Sequence, residues 1–227
     1  MKNKTLPTLI ALIIIYFVLK YFIPFGNYVI YPINLLVTFM HEFGHAFFAL
    51  ITWWSVVELK VNSDWSGVTT TRGGWRIFVL MWGYIGSALF WNILLKIWLQ
   101  PTHNPSLWRR GKIKDFSEIT LYMLSWVLIL VSVFWFSSIL SSIILFALAW
   151  WLIVLAKYTS YDKIILQFLW VASLLFIIED FNVWPSSDLS EFSEIFVVIP
   201  QSIWMIVWLI IVVVISGLNL KSIFTNK

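Results

Sequence analysis

Two imidazoles and a carboxylate fall within five residues of this chain, at His41-Glu42-Phe43-Gly44-His45, and they include two of its three histidines. On a helix the i, i+4 spacing puts His41 and His45 on one face, where both rings reach a single metal ion. Glu42 then stands beside that ion. In a zinc hydrolase this arrangement binds Zn²⁺ through neutral imidazoles while the carboxylate takes a proton from the activated water. The flanks Ile33-Asn34-Leu35-Leu36-Val37-Thr38-Phe39-Met40 and Ala46-Phe47-Phe48-Ala49-Leu50-Ile51 read as lipid-facing helix rather than as the wall of a soluble cleft. Each ionisable group in a transmembrane helix costs about 2.5–3.5 kcal/mol on insertion scales, so a cluster of three needs a compensating partner. A bound cation provides it. The alternative is that the two histidines and the glutamate satisfy one another inside a helix bundle, although intramembrane ionisable residues are functional by default.

The elements that must position this motif are set by composition. Of 227 residues, 61% are hydrophobic, 11% are charged and 16 are tryptophan, which describes an integral membrane protein. Apolar segments repeat almost end to end and leave no room for a separate soluble domain, so residues 1–227 are expected to form one polytopic domain in the lipid bilayer. The net charge of +4 is modest, its basic residues sit in short connections, and nothing points to nucleic acid. The absence of cysteine excludes disulfides and thiolate ligands and leaves histidine and carboxylate to hold a metal.

Apolar runs predict spans at about 6–24, 28–54, 77–99, 119–137, 138–156, 164–178 and 195–218. The expected fold is therefore an all-α polytopic membrane protein of six to seven transmembrane helices. The first run lacks a small-residue cleavage site and reads as an uncleaved helix. The Ser137-Ser138 and Ser141-Ser142 pairs mark a tight helical hairpin. Between residues 55 and 76 the pattern alternates: Val57, Leu59 and Val61 flank Glu58 and Lys60, the stretch from Asn62 to Gly67 supplies turn chemistry, and Val68-Thr69-Thr70-Thr71 resumes with β-branched residues. This predicts a small β-hairpin after the motif helix.

Two histidines do not complete a catalytic zinc site, which has three protein ligands and an open fourth position. Asp188 and Asp180 are the candidates for the third, both in the connection between the last two spans; each has the ordinary alternative of an interfacial charge at a helix end. His103, beside Asn104 and Pro105, reads as a solvated loop residue. Gly83, Gly86 and Ser87 recur at a spacing that lets helix backbones approach closely. Asn92 on the same span is either interhelical glue or an amide that orients a scissile carbonyl. An edge strand within Val57–Val61 or Val68–Thr71 either holds an extended peptide by main-chain hydrogen bonds or simply connects two spans.

On these residues the chain resembles the site-2 protease family of intramembrane zinc metallopeptidases, in its compact bacterial and fungal branch without a PDZ domain. The likeness covers His41 to about Leu95. It comprises the His-Glu-Phe-Gly-His helix, Gly67-Val68-Thr69-Thr70-Thr71-Arg72-Gly73-Gly74 and Gly83-Tyr84-Ile85-Gly86, with a second patch at Ser187-Asp188 followed by Ile199-Pro200-Gln201-Ser202-Ile203-Trp204. The later motif departs from the family pattern of Asn-Pro followed by Leu-Asp-Gly, offering Asn182-Val183-Trp184-Pro185-Ser186-Ser187-Asp188-Leu189 instead. The resemblance implies that His41 and His45 bind Zn²⁺, that Glu42 is the general base, and that an aspartate from a later helix, Asp188 or alternatively Asp180, completes the coordination.

The expected function is zinc-dependent hydrolysis of a peptide bond in a transmembrane or membrane-anchored protein, with the bacterial plasma membrane as location. A metal-binding scaffold without peptidase activity and a metal-ion carrier are the competing classes. A carrier leaves Glu42 unexplained. Orientation is contested, because the positive-inside rule applied to seven spans favours a cytoplasmic C-terminus, whereas the resemblance places the loop after the motif helix on the cytoplasmic side.

Overall fold

In lipid every backbone polar group must find its partner within the protein, so apolar runs of this length form helices and any strand must be sheltered by them. The computed structural model describes residues 5–73, 75–99, 116–135, 138–158, 162–180 and 187–225. Helix α1 (Thr5–Tyr21) leads into α2 (Gly26–Ile51), which carries the histidines. The hairpin β1 (Ser55–Val61) and β2 (Gly67–Arg72) follows, then α3 (Arg76–Leu99), α4 (Phe116–Phe134), α5 (Ile139–Tyr158), α6 (Asp162–Asp180), the short α7 (Asp188–Ile195) and α8 (Gln201–Thr225). Five described helices, α2, α3, α4, α5 and α8, are long and apolar enough to cross a membrane, and α1 is a shorter apolar helix. With α6 packed among them, the protein is a polytopic helical membrane protein whose helix count accords with the six to seven spans expected.

The two strands pair antiparallel, from Ser55 opposite Arg72 to Val61 opposite Gly67, with an irregularity between Val56 and Glu58. The hairpin does not project outward but folds back along α2. The Thr69 hydroxyl donates to the Glu42 carbonyl at 3.0 Å, that of Thr38 to the Trp65 carbonyl at 2.8 Å, and that of Tyr31 to the Ser63 carbonyl at 2.6 Å. From Glu42 to Tyr31 this contact follows α2 for about 16 Å at 1.5 Å per residue. On its other side β1 meets α5, where the Val61 amide donates to Ser141 Oγ at 3.1 Å, and Leu59 and Val61 are buried. Bonds between hydroxyls and main-chain groups thus tie the hairpin and its turn to α2 and α5.

Asn92 joins three helices. Its amide nitrogen donates to Ser216 Oγ on α8 at 3.0 Å, while its side-chain oxygen accepts from Trp170 on α6 at 3.3 Å and from Asn219 on α8 at 3.0 Å. Apart from a bond from its amide nitrogen to the Ala88 carbonyl of its own helix at 2.8 Å, its side-chain contacts are interhelical, as its glue reading requires. At the far edge of the bundle Lys20 of α1 pairs with Glu179 of α6, and the Tyr16 hydroxyl lies 3.4 Å from the same carboxylate oxygen.

Candidate metal centre

Helix α2 runs unbroken through the motif, so His41 and His45 lie one turn apart with ring centroids 4.8 Å from each other. Both are buried. The close approach of α3 sets their surroundings. A Cβ on Gly44 would stand 2.6 Å from the Trp82 carbonyl oxygen, and one on Gly83 would lie 2.7 Å from Cε1 of His41 and 2.5 Å from Cε1 of His45. Only glycine at both positions lets the helices cross here with the imidazoles between them. His45 Nδ1 lies 2.7 Å from the Val79 carbonyl and donates to it, which leaves the Nε2 lone pair free for a cation. The His41 ring meets the Tyr84 ring edge-on at 4.5 Å.

Asp188 opens α7. Ser187 caps that helix through its hydroxyl, which accepts from the Ser190 amide at 3.2 Å. Asp188 Oδ2 then lies 2.9 Å from His41 Nε2 and 3.0 Å from His45 Nε2, and the two Nε2 atoms are 3.1 Å apart. These atoms form a three-residue group able to hold a metal ion. Two imidazole nitrogens and a carboxylate oxygen are the donor set of a catalytic zinc site, and their separations are close to the ~3.3 Å between ligand atoms at tetrahedral zinc. The residues fit the ion.

Glu42 is buried on the same helix and opens onto a cavity of about 720 Å³ shared with His45, Asp188 and strand β2. Gly67, the first residue of β2, lies directly against it: a Cβ there would stand 2.5 Å from both Cγ and Oε1 of Glu42. The rim carries Arg76 and Glu191, which pair at 3.0 Å and are both exposed. The cavity therefore has members of a group able to hold a metal ion, a carboxylate without a place in that group, and strand β2 on one wall.

A family profile described as Peptidase M50B-like matches residues 8–218. The chain belongs to that peptidase family, the site-2 protease family. No curated protein and no solved structure matches it. Membership identifies an integral membrane protein of a metalloprotease family, and the matched region includes His41, Glu42, His45 and Asp188.

The other residues singled out from the sequence lie apart from this group or beyond what is described. Asp180 ends α6, and its side chain lies outside the described residues, as do His103 and the stretch 181–186 that precedes α7. Three contributors to the site were not foreseen in these roles: the Val79 carbonyl that fixes the His45 ring, Gly67 against Glu42, and Tyr84 against His41. Gly67 did carry a signal. A glycine at a strand position marks a close approach of another group to the backbone.

Proposed function

We propose that the protein is a zinc-dependent intramembrane endopeptidase that hydrolyses a peptide bond of a membrane-anchored protein, in a bacterial plasma membrane. The observation that carries this reading is the convergence of His41 Nε2, His45 Nε2 and Asp188 Oδ2 on one point, with the Glu42 carboxylate facing the same cavity. His41, His45 and Asp188 would hold Zn²⁺, which would supply Lewis acidity and lower the pKa of water in the site. Glu42 accepts a proton from that water and delivers it to the leaving amine. Thr69 ties β2 to its main-chain oxygen, and Gly67 leaves room for its side chain.

A peptide reaching this site must be extended before its amide can be attacked, and β2 lies along the cavity with one edge paired to β1. Its second edge is a template for main-chain hydrogen bonds to such a peptide.

The test is Glu42→Gln. Purified and reconstituted, this variant is expected to keep stoichiometric zinc and lose cleavage, and cells carrying it should accumulate an uncleaved membrane protein absent from wild-type cells. Undiminished proteolysis by the variant would sink the mechanism. Tight zinc without turnover in the wild type supports a scaffold instead, and zinc flux into vesicles a carrier.

A further inference from the structure

Asp188 is borne by a helix of eight residues, too short to hold its shape without tertiary support. The exposed Arg76–Glu191 pair contributes little, since exposed ion pairs are weak. What buries α7 is its apolar side, Leu189 and Phe192, each almost fully covered. Phe192 follows Asp188 by four residues and so shares its helix face. Its ring is caught edge-on by two tryptophans of α8, Trp204 at 4.8 Å and Trp208 at 4.9 Å. Trp208 is fully buried and lies 5.8 Å from Tyr84 of α3, whose ring meets His41 at 4.5 Å. A continuous series of rings therefore leads from the helix that bears Asp188 to the imidazole of His41.

We propose that Phe192 is a positioning residue for the metal centre: locked between Trp204 and Trp208, its ring sets the depth and rotation of α7 and so brings Asp188 to His41 and His45. This rests on the reading of Asp188 as a ligand. Rotation of an eight-residue helix about its axis moves residues i and i+4 together, so freedom at Phe192 becomes displacement at Asp188.

The experiment is a double-mutant cycle on zinc affinity, measured on the full chain in detergent by competition with a chromogenic chelator. The thermal midpoint of each metal-free variant is recorded alongside. Asp188→Ala is expected to weaken zinc strongly. Phe192→Ala is expected to weaken it about 10–100-fold, the range found when a group supporting a ligand is removed, and Phe192→Leu to weaken it less. In the Asp188→Ala background the Phe192 effect should vanish, because the residue acts through that carboxylate. If Phe192→Ala fails to fold, Phe192→Leu carries the same cycle. Wild-type affinity in both Phe192 variants, or a Phe192 loss that persists without Asp188, overturns the positioning role and leaves the ligand reading standing. Unchanged affinity in Asp188→Ala removes the ligand reading itself, and this inference with it.

Discussion

Replacing Gly67 by alanine tests whether the carboxylate of Glu42 must stand where the structure puts it. Gly67 is not in the left-handed backbone region, so alanine brings no φ penalty and the effect is confined to its methyl group. That methyl would lie 2.5 Å from Cγ and Oε1 of Glu42 and 2.8 Å from its carboxyl carbon. Carbon atoms in contact sit about 3.5–4.0 Å apart, so one partner must give by about 1 Å. The strand is paired to β1 and tied to α2, whereas the glutamate has free side-chain torsions, so the carboxylate moves. A misplacement of about 1 Å in a reacting group costs on the order of 10²-fold in rate. Gly67→Ala is therefore expected to keep its zinc and its thermal midpoint and to lose roughly 100-fold in kcat, measured as turnover of a reconstituted membrane substrate beside metal content from the same preparation. Full turnover in Gly67→Ala would refute the placement of Glu42 as the proton acceptor, and loss of zinc would show that the methyl acts on the ligands instead.

Gly83→Ala puts its methyl against both imidazoles, 2.5 Å from Cε1 of His45 and 2.7 Å from Cε1 of His41, and is expected to abolish zinc binding. Because a ligand that binds only the folded state raises its stability, the variant should lose the zinc-dependent rise in thermal midpoint that the wild type shows. Chelation of the wild type should stop cleavage, and added Zn²⁺ should restore it, as followed by product formation before and after metal return. Asn92→Ala removes bonds to Ser216, Trp170 and Asn219. At about 0.6 kcal/mol for an average interhelical bond in a membrane protein, it should cost about 2 kcal/mol in unfolding from mixed micelles while retaining zinc.

What was legible in the chain was what local rules govern. The spacing of His41 and His45 places them on one helix face whatever surrounds them, and alternation between Val57 and Val61 with turn residues after it is enough to announce a hairpin. Long-range placement was not legible. Asp188 and His41 are 147 positions apart, and the stretch before Asp188 lacks the Leu-Asp-Gly pattern that would have marked it, so Asp180 stood beside it as the alternative. The direction of the hairpin was equally hidden, because it depends on Tyr31, Thr38 and Thr69, hydroxyls whose partners are main-chain carbonyls on another element. Asn92 shows the limit from the other side. Its chemistry allowed two roles, and only the arrival of Ser216, Trp170 and Asn219 around it separated them.

The wide sequence separation of the metal-binding group has a consequence in time. His45 precedes Asp188 by 143 positions, and a ribosome adding about 5–20 residues per second needs on the order of ten seconds to cover that distance. During that interval the motif helix is already made but lacks the carboxylate that meets its histidines. A nascent or prematurely terminated chain therefore carries Glu42 and two imidazoles yet lacks the third member of the group. Assembly of the group therefore waits on late synthesis of the chain.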